Sequence, residues 1–148
     1  MPDVQKLNEA NVSGYFDKDT RIFHIHYKGI LDAEATNKAY SWLFTQGTEV
    51  GGIDNIYAFV FDFTEVVKFR RDNTFATKRQ SQTAKVSIDL SRVPAALVVK
   101  NIYQEQLVLL SMKVNDVEER TKICKSHAEA MTFIDLFHQK LAKRDTGV

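Results

Sequence analysis

The stretch Tyr57-Ala-Phe-Val-Phe-Asp-Phe-Thr-Glu-Val66 constrains this chain more than any other. A strand with one wet face alternates apolar and polar residues, whereas a strand covered on both faces reads as a nearly continuous apolar run. This run stays apolar until Asp62, so it predicts a central strand of a sheet with helices packed on it. In such sheets the crevices outside the carboxyl ends of the strands are where ligands and partners dock. The sequence therefore places a rim at Asp62 and Thr64 without supplying any chemistry there.

The flanking segments fit the same picture. Val12–Phe16 and Arg21–Lys28, joined by the turn-rich Asp17-Lys-Asp-Thr20, read as a β-hairpin that Gly29 ends. In its second strand Phe23, Ile25 and Tyr27 share one face, and Ile22, His24, His26 and Lys28 share the other. Asp32 is placed to cap a helix carrying Ala35, Ala39, Trp42 and Leu43 on one side, with Glu34 in its first turn and Gly47 as its stop. The central strand is expected over Ile56–Phe63. A polar helix is expected from Asp72 or Asn73 to about Ile88, then a buried strand over Ala95–Val99. Ile102–Val117 reads as a helix with Tyr103, Leu107, Leu110, Val114 and Val117 in one stripe. A short strand over Arg120–Lys125 follows. Ser126, with Glu129 completing a capping box, opens a last helix along Ala130, Ile134, Phe137 and Leu141.

The order ββαβαβαβα predicts an α/β fold of mixed type, with a four- to five-stranded mixed sheet, an N-terminal hairpin and right-handed crossovers in its parallel part. Residues 1–11 are expected to be a loose lead-in and residues 12–143 a single domain, as the length of 148 residues suits. A net charge of +1 argues against a general nucleic-acid binder. The single Cys124 excludes an intrachain disulfide and a zinc cluster of several thiolates. No run approaches the ~20 apolar residues of a transmembrane helix, and the N-terminus lacks the apolar segment of a signal peptide. A cytoplasmic location is the resulting expectation.

Recognisable chemistry is sparse. His24 and His26 lie on one strand face at a spacing that metal sites use, but no third or fourth ligand stands out, so the pair reads as solvated or sheet-packed and no metal is expected. No nucleophile elbow, phosphate loop or dinucleotide fingerprint is present, so neither an enzyme nor a cofactor is predicted. Between Lys68 and Arg92 seven basic residues face two acidic ones, which makes either an anion-binding surface or a solvated helix face. On helix 102–117, Val108, Leu109 and Met112 fall away from the main stripe. A helix apolar on more than one side is either deeply buried or faces a partner, such as a second copy of the chain.

Gly29-Ile-Leu-Asp32 before the first helix, Val60-Phe-Asp-Phe-Thr-Glu-Val66 closing the next strand, and Val93-Pro-Ala-Ala-Leu-Val98 opening another resemble a STAS domain of the bacterial SpoIIAA-like group. The resemblance runs over residues 12–141. It implies a regulatory module that binds a protein partner through the rim at Asp62, Thr64, Arg70, Arg71, Asp72 and Thr74. The family's phosphorylated serine lies at a helix N-terminus. The matching stretch here, Phe69-Arg-Arg-Asp-Asn-Thr74, has no Ser-Gly, and Thr74 is its nearest hydroxyl. The group also resembles lipid-binding CRAL-TRIO folds, which implies a second reading. In that reading the chain carries a small apolar or amphipathic ligand in a pocket lined by Trp42, Phe59, Phe61, Leu110 and Phe137. The leading expectation is a non-enzymatic binding module.

Overall fold

In the computed structural model, which describes residues 4–70, 72, 79, 90–114 and 120–146 and only the backbone over 110–114, the strands follow one another across a single sheet. They are β1 (Leu7–Asn8), β2 (Val12–Asp17), β3 (Ile22–Leu31), β4 (Ala58–Phe69), β5 (Ala95–Val98) and β6 (Thr121–Cys124). The first three run antiparallel, and β3 to β6 run parallel. The described helices are α1 (Ala33–Glu49), α2 (Ile102–Val114) and α3 (His127–Asp145). The architecture is mixed α/β, with one strand more than the sequence suggests because β1 is only two residues long.

The strand order never reverses, so crossovers of one hand put their helices on one face of the sheet. The packing agrees. Phe23, Ile25, Tyr27, Phe61 and Leu97 bury against Ala35, Ala39, Trp42 and Leu43 of α1 and Val108 of α2. Helix α3 follows the last strand and packs on the other face, where Ala130 and Ile134 cover Ile22, Ala58, Val60, Ala96, Val98 and Cys124. Alternate residues of one strand thus feed two separate cores, which is why the run in β4 is continuously apolar. Gly14 belongs to the first core: a Cβ there would lie 2.9 Å from Trp42 Cζ3 and 3.0 Å from His24 O, so only glycine lets the indole approach the hairpin.

The local signals at helix starts act as their chemistry requires. Asp32 Oδ1 accepts from Ala35 N at 2.9 Å, and Ser126 Oγ accepts from Glu129 N at 3.1 Å. Glu129 Oε2 accepts from Lys125 N, one residue outside a true capping box. Gly47 does not stop α1, because a single glycine costs a helix little; the stop falls at Gly51 and Gly52, whose φ of 100° and 93° favour glycine. Gly29 likewise does not end β3, which runs on to Leu31 beside the tail of β4. The expected lead-in is tied down over residues 4–10: β1 pairs with β2, and Trp42 Nε1 donates to Gln5 O at 2.7 Å. The expected polar helix over 72–88 lies almost wholly outside the described residues.

Helix α2 is turned differently from the expected stripe. Tyr103 is exposed, while Gln104 and Val108 are buried. A polar anchor on the inner face is invisible to a reading of apolar period. Val108 therefore belongs to the first core and not to a self-association face; Leu109 is half-buried, and the Met112 side chain lies outside the described set.

Cys124 is a small core residue under α3. Burial pushes its thiol up to about 11. At a pH three units lower, only about one molecule in a thousand carries the thiolate that reacts. Thiol reagents near pH 8 are expected to leave Cys124 unlabelled in the native protein and to label it fully in denaturant, as intact mass reads directly.

Candidate functional site

β4 pairs with both neighbours only as far as Asp62, opposite Val98, the last residue of β5. Beyond Asp62 it stays beside β3 alone and parts from β5; since the strand order never reverses, this parting is not the switch-point crevice the sequence led one to expect. The strand does not stop there, as the sequence suggested, but continues to Phe69. The carbonyls it turns towards the missing strand are taken by a side chain. Gln104 Nε2, buried under α2, donates to Val66 O at 3.0 Å and Thr64 O at 3.3 Å, and Gln104 Oε1 accepts from Lys100 N at 2.9 Å.

At the parting point the ladder shifts. His26 opposes Asp62, but Lys28 opposes Glu65, so β4 spends one extra residue in a bulge. In a regular strand Asp62 and Glu65 would face opposite ways; the extra residue brings Glu65 onto the face of Asp62 and His26. His26 stands between the two carboxylates, with Nε2 on Glu65 Oε2 and Nδ1 at 3.5 Å from Asp62 Oδ2. From the first turn of α3, His127 Nε2 lies 2.9 Å from the same Oδ2. Since an ionised carboxylate only accepts, that nitrogen carries the proton. Asp62 Oδ1 accepts from Thr64 N at 2.8 Å and Thr64 Oγ1 at 2.7 Å.

Burial raises the Asp62 carboxyl, but donation from Thr64 and His127 and the charge of His26 outweigh it and hold the group below its ordinary value. Asp62 is thus an anion over the whole neutral range. A depressed carboxyl contributes stability that is present above its unfolded value and is lost as the pH falls through its folded value. Asp62→Asn is therefore expected to flatten the fall in stability below about pH 4, the ordinary carboxylate range. Denaturant midpoints measured from neutral to acid pH check this.

Helix α3 covers β4 to β6 and reaches Ile22; among the described residues the same face of β2 and β3 keeps Tyr15 exposed and His24 and His26 partly so. Tyr15, 47% exposed, stacks on His24 with ring centroids 4.7 Å apart and planes at 12°. Burial and the neighbouring His127 lower the His24 pKa against the opposing pull of Asp17. The open face thus carries a flat aromatic stack beside a histidine–carboxylate cluster. The groups neutralise and orient one another and leave no activated nucleophile in this cluster.

The predicted rim is only partly one site. The structure brings Asp62 and Thr64 together, but Arg70 and Asp72 lie roughly 25 Å further along the chain at strand spacing. There Arg70 N donates to Leu31 O, and Asp72 Oδ1 accepts from Ala33 N at the start of α1. Arg71 and Thr74 lie outside the described residues. The predicted pocket lining is divided by the sheet. Trp42, Phe59 and Phe61 belong to the first core, whereas Phe137 is on α3 across the sheet; the Leu110 side chain is outside the described set. An open groove of about 790 Å³ runs instead along α1, between Leu7, Glu9 and Asp72. Sequence reasoning missed Tyr15, Glu65, His127 and Gln104 as site residues. The hairpin register pairs Tyr15 with His24 and could have found the first.

Neither a protein-family model nor a curated protein matches the sequence. Solved structures do match in fold. An uncharacterized protein of the DUF3478 family with a SpoIIAA-like fold, from Shewanella loihica PV-4, superposes with a TM-score of 0.59 at 13% identity, covering 88% of this chain and 98% of its own. The protein TM1081 gives 0.54 at 15% identity, covering 91% and 90%. The anti-sigma factor antagonist SpoIIAA in its unphosphorylated form gives 0.50 at 8% identity, covering 88% and 96%. The chain has the SpoIIAA-like fold.

Proposed function

We propose that this protein is a regulatory module that acts by binding another protein, with the open face around Asp62, Glu65, Tyr15 and His24 as its docking surface. The observation that carries this reading is the half of a sheet face that α3 does not cover, furnished with a stacked aromatic pair beside a fixed carboxylate. Aromatic platforms with a polar rim are characteristic of protein interfaces. Further exposed apolar side chains follow the parting of β4 from β5: Val67 is 79% exposed, Ile102 72% and Tyr103 64%. Fold likeness to an anti-sigma factor antagonist fits a protein partner, though fold alone does not assign one.

The test is affinity capture from a lysate of the source organism with the wild-type chain, with Tyr15→Ala plus Glu65→Lys, and with Lys38→Glu as a control on the far side of the sheet. A partner lost with the first variant and kept with the control supports the docking surface. A partner held equally by all three, or none captured under cross-linking, removes it.

A further inference from the structure

Resting on the reading above, we infer that the open face recognises an arginine presented by the partner, with the guanidinium stacked on the Tyr15–His24 pair and forked onto Glu65 beside Asp62. Charge and shape both lead there. The strands carry Asp17 of β2, Lys28 of β3, and Asp62 and Glu65 of β4 along this face, and Arg21 sits over Tyr57 at the Asp17 end, so the acidic excess lies at Asp62 and Glu65. The imidazoles beside them are His24 and His26 of β3 and His127 of α3. Asp17 is partly spent on its own turn, where Oδ1 accepts from Asp19 N at 2.9 Å. Asp62 is only 14% exposed in its side chain and is enclosed by its donors, so it supplies charge; Glu65 holds His26 through Oε2 but, 64% exposed, still offers an accessible carboxylate. The ligand that fits is a cation with a flat face. A guanidinium stacks on aromatic planes and meets a carboxylate through two parallel N–H donors, which a lysine ammonium does not do. Two residues of strand separate His24 from His26 and its carboxylates, about 7 Å, which one arginine side chain spans.

The probe is the peptide acetyl-Gly-Arg-Gly-Arg-Gly-amide, titrated into the full ¹⁵N-labelled chain and followed by amide correlation spectra. Its control is the same peptide with citrulline, which keeps the shape and removes the charge. The expected result is shifts confined to the amides of Tyr15, His24, His26, Asp62 and Glu65, absent with citrulline. In Glu65→Gln the apparent affinity should fall about tenfold, the worth of one charge-assisted hydrogen bond. Shifts that are absent, that lie elsewhere, that appear equally with citrulline, or that survive Glu65→Gln would overturn the inference. Its failure is distinguishable from failure of the module reading. If capture still depends on the open face while the arginine peptide has no effect there, the docking surface stands and only the arginine is removed.

Discussion

Phe23→Ala is expected to lower the unfolding free energy by about 4 kcal/mol, the largest effect of any single substitution considered for this chain. Phe23 has no exposed surface and lies at the hub of the aromatic core. Its ring centroid is 4.6 Å from that of Phe16, 5.4 Å from Trp42 at a nearly perpendicular 89°, and 6.0 Å from Phe59. Truncation loses the transfer energy of the ring and leaves a void bordered by three large side chains. Two of these sit on neighbouring strands and the third on α1, so the void cannot close by moving one element. The edge-to-face contact with Trp42 adds a smaller part. Trp42 is itself tied to Gln5 and pressed against Gly14, so it is not free to fill the gap. The measurement is the urea midpoint with its slope. A fall of less than about 2 kcal/mol, below the usual range for such truncations, would mean that the core collapses around the site and that the aromatic packing is loose.

The parts of the fold that were legible in the sequence are those in which a short-range pattern has one physical reading. Asp32 and Ser126 precede apolar periodicity with the right oxygen for a cap. The run in β4 is apolar on both faces because two cores need it. The alternation in β3 assigns Phe23, Ile25 and Tyr27 to one layer. The same reasoning fails where a long-range partner decides the outcome. The tail of β4 carries Glu65 and Lys68, which reads as the end of a strand, yet pairing with β3 extends it to Phe69. Tyr103 reads as core on its helical wheel, yet Gln104 faces inward because two carbonyls wait there.

The candidate site follows the same division. Asp62 and Thr64 were legible because they punctuate an apolar run. Glu65 was hidden by parity, since residues three apart in a strand face opposite ways until a bulge intervenes. His127 lies sixty-five residues from Asp62, and no local pattern couples them. The paired histidines of β3 were visible, but their meaning depends on what stands opposite. His24 meets Tyr15 and His26 meets two carboxylates, so two residues of one strand, one position apart on the same face, serve as a platform and a polar pivot. The proposed docking surface is thus written in the register of the sheet more than in any motif.

Gln104→Leu is the second large effect, at about 3 kcal/mol, although leucine matches the buried volume and is a strong helix former. The loss is polar. Gln104 is 2% exposed and uses both ends of its amide: Nε2 donates to Thr64 O and Val66 O, and Oε1 accepts from Lys100 N. Leucine would leave those groups without this partner at a place where β5 has ended, and a buried unpaired group costs roughly 1–3 kcal/mol. The effect should also be local. Gln104 substitutes for a strand along the tail of β4, so removing it frees the segment that holds Glu65 before it disturbs the cores. Amide exchange is then expected to accelerate first over residues 63–69 and the first turn of α2, with Val60 and Ile25 still protected. Gln104→Glu keeps the acceptor but removes the donor and adds a charge, and it should cost at least as much at neutral pH. If Gln104→Leu proved as stable as the wild type with unchanged exchange, the anchoring role of this amide would be excluded. The bulge that presents Glu65 would then have to be held by packing of Val66 and Tyr27 alone.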